Sequence, residues 1–303
     1  MKFSWTYQSS EKQQVKTFLG TKGISRSLLA KVKFQGGKIT VNNQIENVLY
    51  HLQKSDVVEI TIPDEKGHDT TIPIDIPIDI VYEDANFLVV NKPFGVASIP
   101  SKVHPAGTMA NRVKGYYVKQ GYKNQVIHIV TRLDRDTTGL MLFAKHGYAH
   151  ALLDKELRKK QLHKKYIALL TGKLKENQHG IIEAPIARPK DSIIKRIVHP
   201  DGKMALTEYW VREEFEEATL VDIQLHTGRT HQIRVHFTHI GNPLMGDDLY
   251  GGEWNQWVKR QALHCRELDF IDPFTQEKIV LEADYPDDIA EWLEHQRAIE
   301  NHR

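Results

Sequence analysis

Cysteine is almost absent from this chain: Cys265 is the one thiol in 303 residues. A lone thiol excludes an intrachain disulfide and any thiolate-rich metal site. Lying between Leu263 and Leu268, it reads as small core volume in a protein of a reducing compartment. Long apolar runs are missing too. No stretch approaches the ~20 residues that span a bilayer. Met1 to Ser10 is polar and shows no apolar core ending in a small-residue cleavage site, so we expect a cytoplasmic protein with no membrane partner. Charge of one sign is also lacking: 41 Lys and Arg against 39 Asp and Glu leave a formal +2, a total that neither requires nor excludes a nucleic-acid partner. Repeats and low-complexity tracts are absent. What remains, 40% hydrophobic and 26% charged residues, suffices for a buried core and for more than one domain.

One absence is local. No acidic residue lies between Glu11 and Glu46, whereas Lys22, Arg26, Lys31, Lys33 and Lys38 all fall there. Residues 1–63 read as a small α/β unit of two helices followed by short strands. Ser25 is placed to cap the second helix, Leu28, Leu29 and Val32 form its apolar stripe, and Gly36-Gly37 stops it. Lys38 to Val41 then runs as a strand into an Asn42-Asn43 turn, and Val57 to Ile62 closes the unit. Basic clusters are more often solvated helix faces than binding sites. The order Gly23-Ile24-Ser25-Arg26, Leu28-Leu29, Val32, Gly36-Gly37, Val41-Asn42-Asn43 and Val57-Val58 nevertheless resembles the small RNA-binding domain typified by ribosomal small-subunit protein four. The resemblance implies phosphate contacts through Arg26, Lys31 and Lys33.

Residues 64–77, ending Ile72-Pro73-Ile74-Asp75-Ile76-Pro77, read as an extended linker, because each proline disfavours helix in the residue before it. Residues 78–303 read as a second domain. Ile80 to Tyr82 and Phe87 to Val90, separated by Glu83-Asp84-Ala85-Asn86, predict a hairpin. Further β-rich runs at Val126 to Val130, Leu140 to Ala144, Tyr166 to Leu170 and Thr219 to Leu225 alternate with helical patterns. The fold class is therefore α+β, with a mixed, mostly antiparallel sheet.

Three segments carry chemistry. Arg132 to Gly139 is a polar loop between two strands and holds Arg132, Asp134, Arg135 and Asp136. Such loops on rigid sheets are where sites are built, although a salt-linked surface turn has the same composition. In His226-Thr227-Gly228-Arg229-Thr230-His231-Gln232-Ile233-Arg234 a short helix is expected from about His231, with Thr230 as cap. Its unpaired first-turn amides make a ready anion site, which Arg229 and His231 flank. His226, His231 and His236 are spaced by five, whereas helical metal ligands recur at three or four, so no metal is expected. The third segment, Lys164-Lys165-Tyr166, follows Arg158-Lys159-Lys160. A tyrosine at a strand start is either half-buried packing or a platform for an unpaired base, worth about 1–3 kcal/mol.

Together these segments resemble the RluA/RluD-type pseudouridine synthases. Val89-Val90-Asn91-Lys92-Pro93, Arg132-Leu133-Asp134 with Thr138-Gly139, Lys165-Tyr166 with Ala168 and Gly172, and Gly228 to His236 occur in that family's order. Gly202-Lys203 with Ala205 and Thr207, and Gly246-Asp247 with Tyr250-Gly251, add to it. The family usually places histidine before the arginine of its aspartate motif, where this chain has Thr131. The resemblance implies a cofactor-free isomerase of uridine in RNA, ribosomal RNA before transfer RNA, acting as a monomer. It implies Asp134 as the catalytic carboxylate, attacking the sugar's anomeric carbon or C6 of the base or starting elimination at the sugar, with Arg234 as its basic partner and Tyr166 stacked on the uracil and assisting loss of the C5 proton. Arg132 would fill the gap left by an extruded base, and Arg229 and His231 would hold phosphate or base. Two alternatives stay open: an RNA-binding protein that does no chemistry, and a hydrolase using Asp134 with Asp136 as a carboxylate pair.

Overall fold

A computed structural model of the chain describes residues 1–65, 71–174 and 178–302. Part of the expected linker, residues 66–70, therefore lies outside the described residues.

The amino-terminal part comprises β1 (Lys2–Thr6), β2 (Gln13–Gln14), α1 (Val15–Thr21), α2 (Arg26–Phe34), β3 (Lys38–Val41), β4 (Gln44–Ile45), β5 (His51–Leu52) and β6 (Val57–Thr61). Ser25 caps α2 by accepting the Leu28 amide at 3.1 Å, and Asn42 and Asn43, both at positive φ, make the tight turn from β3 to β4. The order of elements departs from the expectation of helices first. β1 opens the unit and pairs antiparallel with β6 in a sheet ordered β1-β6-β3-β4. Polar Lys2, Ser4 and Thr6 alternate with Phe3 and Trp5, a strand pattern on a segment whose overall polarity hides it.

The remainder runs β7 (Asp79–Glu83), β8 (Phe87–Lys92), α3 (Met109–Lys119), β9 (His128–Ile129), β10 (Thr138–Ala144), α4 (Gly147–Arg158), β11 (His163–Thr171), β12 (His179–Glu183), β13 (Ile186–Ala187), β14 (Ile197–Val198), β15 (Leu206–Glu214), β16 (Ala218–Leu225), α5 (Gln232–His239), β17 (Leu263–Ile271), β18 (Lys278–Glu282) and α6 (Asp287–Asn301). The main path of its ten-stranded sheet is β12-β15-β16-β11-β17-β10-β8-β7. Every pairing in it is antiparallel except β10 with β17. At that central parallel pair Gly139 has φ +110°, and a β-carbon there would come within 2.2 Å of the Cys265 carbonyl oxygen. Only glycine tolerates both the angle and the approach.

Alternation along β11 divides the core. Tyr166, Ala168 and Leu170 pack with Leu133, Ile233 and Phe237 on one face, while Ile167 and Leu169 pack with Trp292 and Leu293 of α6 on the other. α6 thus covers the face opposite the one that carries α5. The extended segment after residue 71 lies along α3, where Asn111 donates its side-chain amide to Ile72 O at 2.8 Å and its backbone carbonyl oxygen accepts from Ile74 N at 3.1 Å. The amino-terminal sheet is joined to the larger one by aromatic packing. Phe3 meets Tyr148 edge-on with centroids 4.9 Å apart and stacks on Phe274 at 5.6 Å. The Tyr148 hydroxyl donates to Lys22 O at 2.6 Å.

Candidate active site

Asp134, Tyr166 and Arg234, separated by up to a hundred residues in sequence, line a single cleft of about 840 Å³. Asp134 comes from the β9–β10 loop, Tyr166 from β11 and Arg234 from the first turn of α5. Arg132, Arg229, His231 and Lys164 line the same cleft. Arg26, Lys31 and Lys33 lie elsewhere, on α2 of the amino-terminal part.

The loop that presents Asp134 is tied down atom by atom. The Ser98 hydroxyl donates to Leu133 O at 2.6 Å and accepts from Leu133 N at 3.1 Å. Thr137 N donates to Asp134 O at 3.2 Å, closing a tight turn. Lys92, wholly buried, donates its ammonium to Arg135 O at 2.7 Å and to Pro93 O and Val96 O at 2.8 Å each. Arg260 donates to Asp136 O at 3.1 Å. Successive carbonyls of the loop thus rest on two buried cations. Burial, the dominant influence, pulls the Lys92 ammonium down to about 7, because the charged form loses hydration that three carbonyls only partly replace. Thr131, where the resembling family has histidine, hydrogen-bonds β10 at the foot of the loop: its hydroxyl accepts the Leu142 amide at 3.0 Å.

Asp136 faces away from this chemistry, because Arg135 clamps it through Nε and Nη2 at 2.8–3.0 Å. Asp134 instead faces the cleft. Its Oδ2 lies 3.6 Å from Arg234 Nη1 and 3.9 Å from His231 Nε2.

Arg234 is itself held. Its Nε and Nη2 donate to the two oxygens of Asp247 at 2.6 and 2.7 Å, and its guanidinium carbon sits 4.9 Å from the centre of the Tyr250 ring. Asp247 is completely buried. Two of the three guanidinium nitrogens are therefore committed to a buried carboxylate, which fixes the plane of the group and aims the third at Asp134. Burial works against the Arg234 charge, but the Asp247 pair outweighs it and the pKa is raised. Tyr250 also bonds His231, its hydroxyl lying 2.9 Å from Nδ1, and accepts from Arg196 N at 2.8 Å. Burial, the largest effect, lowers the His231 pKa, favouring the neutral ring.

Tyr166 is 4% exposed and paired across the sheet with Cys265. Burial, with smaller contributions from Cys265 and Asp134, pushes its hydroxyl well above the ordinary phenol range, which favours the protonated form. Lys164 Nζ stands 5.3 Å from the Tyr166 ring centre, and burial lowers its pKa. Arg132 is exposed at the cleft. Arg229 is exposed too and donates to Met204 O at 3.0 Å.

The expected cap of α5 is corrected. His231, not Thr230, occupies the N-cap position, in the left-handed region at φ 57°, and no side chain caps the helix. That strained conformation turns the imidazole toward Tyr250 and Asp134 rather than along the helix. Of the three histidines spaced by five, His226, bonded to Glu208 at 2.7 Å, and His231 both line the cleft, whereas His236 is buried against Thr207 and Ala184. In the sequence Lys92, Asp247 and Tyr250 stand out only as motif matches, and Ser98 and Arg260 do not stand out at all. A lysine and an aspartate placed beside apolar or glycine-rich turns are the only local signs of charges that will be buried.

Comparison with known proteins agrees with this geometry. Residues 86–239 match the family described as RNA pseudouridylate synthase. The chain is 43% identical over 279 residues to an RNA pseudouridine synthase of Bacillus subtilis, YjbO, covering 92% of this chain and 98% of that protein. It is 36% identical over 247 residues to ribosomal large subunit pseudouridine synthase D of Escherichia coli O6:H1, covering 76% and 74%. Among solved structures, human RNA pseudouridylate synthase domain containing 4 shares the fold with a TM-score of 0.59 at 24% identity, covering 72% of this chain and 93% of that one. With a buried arginine aimed at the loop carboxylate and a buried tyrosine lining the same cleft, the chain belongs to the RNA pseudouridine synthase family and is an isomerase of that class.

Proposed function

We propose that this enzyme converts uridine to pseudouridine in ribosomal RNA, acting as a cytoplasmic monomer, with Asp134 as the attacking carboxylate. The observation that carries the reading is the 3.6 Å approach of Arg234 Nη1 to Asp134 Oδ2 in an open cleft, with Arg234 locked from behind by Asp247. Mere binding of a polyanion gains nothing from a carboxylate held in the cleft, whereas nucleophilic chemistry can use one directly. In the reaction the bond from the sugar anomeric carbon to N1 breaks, the uracil turns, and a bond forms from the same carbon to C5. The proton leaves C5 while N1 gains one. Atoms and oxidation states balance, so the reaction consumes no oxidant, reductant or water. The preference for ribosomal RNA follows the synthase D relatives, which are named for the ribosomal large subunit.

A uracil in paired RNA must be extruded to reach Asp134, at a cost of a few kcal/mol. Exposed Arg132, next but one to Asp134, is placed to stack in the vacated position. Tyr166 forms the wall against which the base turns; its protonated hydroxyl gives its proton to N1 of the detached uracil, and the resulting phenolate takes the one that leaves C5. The amino-terminal unit, residues 1–63, supplies phosphate contacts from Arg26 and Lys33. Lys31 contributes less, because Glu65 stands 3.8 Å from its ammonium.

Incubating ribosomal RNA transcript with the protein should yield a mass-silent uridine isomer that takes a carbodiimide label. Binding with no labelled product would favour a protein that binds RNA only. Replacing Tyr166 by Phe keeps the buried ring but removes the hydroxyl. The single-turnover rate should then fall on the order of 100-fold, with RNA affinity held. An unchanged rate would make Tyr166 a stacking platform alone.

A further inference from the structure

The amino-terminal unit does not float beside the catalytic part. Gly23 sits so close over α4 that a β-carbon there would come within 2.4 Å of Leu152 Cδ2 and 3.5 Å of Lys155 Nζ. One residue earlier, Lys22 O receives the Tyr148 hydroxyl from the first turn of α4, and two residues later Ser25 starts α2 with exposed Arg26 as its first residue. The other end of α4 reaches the active site, since Leu157 and Lys160 line the cleft with Asp134. The stretch of α4 from Leu152 to Leu157, about 7.5 Å at 1.5 Å per residue, is therefore a bridge from the Gly23 turn to the cleft mouth.

The charges along this bridge are of two kinds. Arg158 and Lys159 are occupied locally, by Asp154 at 2.6 Å and Glu156 at 3.6 Å. Lys155 and Lys160 are exposed, and among the described residues neither has an acidic group within ion-pair distance. Lys160 is further set in the left-handed region at φ 57°, just beyond the end of α4. Arg26, likewise exposed, has no ion pair among the described residues and continues the series onto the amino-terminal unit.

We propose that Arg26, Lys155 and Lys160 form one continuous phosphate-binding strip, along which the RNA strand flanking the target uridine passes from the cleft over α4 to α2. The strip rests on the reading of the protein as an RNA enzyme and adds to it a path for the flanking strand. Phosphate contacts of this kind position RNA without reading its sequence. Because the two parts are packed together, the strip registers the flanking strand against Asp134.

The test is the salt dependence of binding to a fluorescein-labelled RNA hairpin with a uridine in its loop. Removing one cation from a phosphate should reduce the slope of log affinity against log salt by about 0.7 to 0.9. The Lys155→Gln/Lys160→Gln double variant should therefore flatten the slope by about 1.4 to 1.8, and adding Arg26→Gln should flatten it by about 0.7 to 0.9 more. Arg297→Gln removes a cation from α6 on the opposite face of the sheet and should leave the slope as in the wild type. Melting curves confirm that each variant is folded. A slope unchanged in the double variant, or flattened equally by Arg297→Gln, overturns the strip. If the wild-type protein makes no pseudouridine and yet the slopes change as stated, the strip stands and the enzymatic reading fails.

Discussion

Replacing Asp247 by Asn lowers the turnover of this enzyme on the order of 100-fold while leaving RNA affinity nearly intact, because the residue acts on Asp134 only through Arg234. In the wild type two charge-assisted bonds of 2.6 and 2.7 Å fix the Arg234 guanidinium. Asparagine keeps one carbonyl acceptor and removes one of the two carboxylate charges at the guanidinium, leaving Asp134 at 3.6 Å as its remaining anionic partner and the plane of the group less firmly held. A shift of about 1 Å in a positioned group is enough for a loss of that size. Asp247→Ala, which removes both acceptors, should cost about 3–5 kcal/mol of stability and show as a large fall in melting temperature. Comparing kcat, KM and melting of the two variants separates positioning from folding. A full wild-type kcat in folded Asp247→Asn would mean that Arg234 does not need its clamp.

The elements around the site were largely legible because local chemistry and tertiary need agree there. The β7–β8 hairpin is closed by Asp84, whose carboxylate accepts the amides of Asn86 and Phe87 at 2.7 and 2.6 Å, an Asx turn visible in the sequence as Glu83-Asp84-Ala85-Asn86. The β3–β4 turn and the Ser25 cap were legible for the same reason. β1 was not, because its polar residues satisfy only the local pattern, while its apolar Phe3 packs on Tyr148 and Phe274, over a hundred residues away. Asp134 and Arg234 could be paired from motif order, although their 3.6 Å contact depends on the Asp247 clamp, which no spacing rule shows. Lys92 and Arg260 illustrate the same limit. A lysine with no exposed surface contradicts every compositional expectation, and its use is intelligible only once three carbonyls converge on its ammonium. The left-handed His231 cap was hidden likewise, since its strain is maintained by Tyr250 and by the packing of α5.

Asp134 is the attacking carboxylate we propose, and the variant that tests it replaces one carboxylate oxygen and little else. Asp134→Asn keeps the side-chain volume and can still accept a hydrogen bond from Arg234, so the loop held by Ser98, Lys92 and Arg260 should persist. The amide is a far poorer nucleophile than the carboxylate, and loss of a group of this kind costs on the order of 10⁴-fold or more in turnover. The direct measurement is single-turnover release of tritium from RNA carrying uridine labelled at C5, with enzyme in excess and binding followed in parallel. Wild-type protein should release the label and leave pseudouridine, and Asp134→Asn should bind the same RNA with similar affinity and release none. Tritium release by Asp134→Asn at a rate near that of the wild type would contradict Asp134 as the attacking carboxylate.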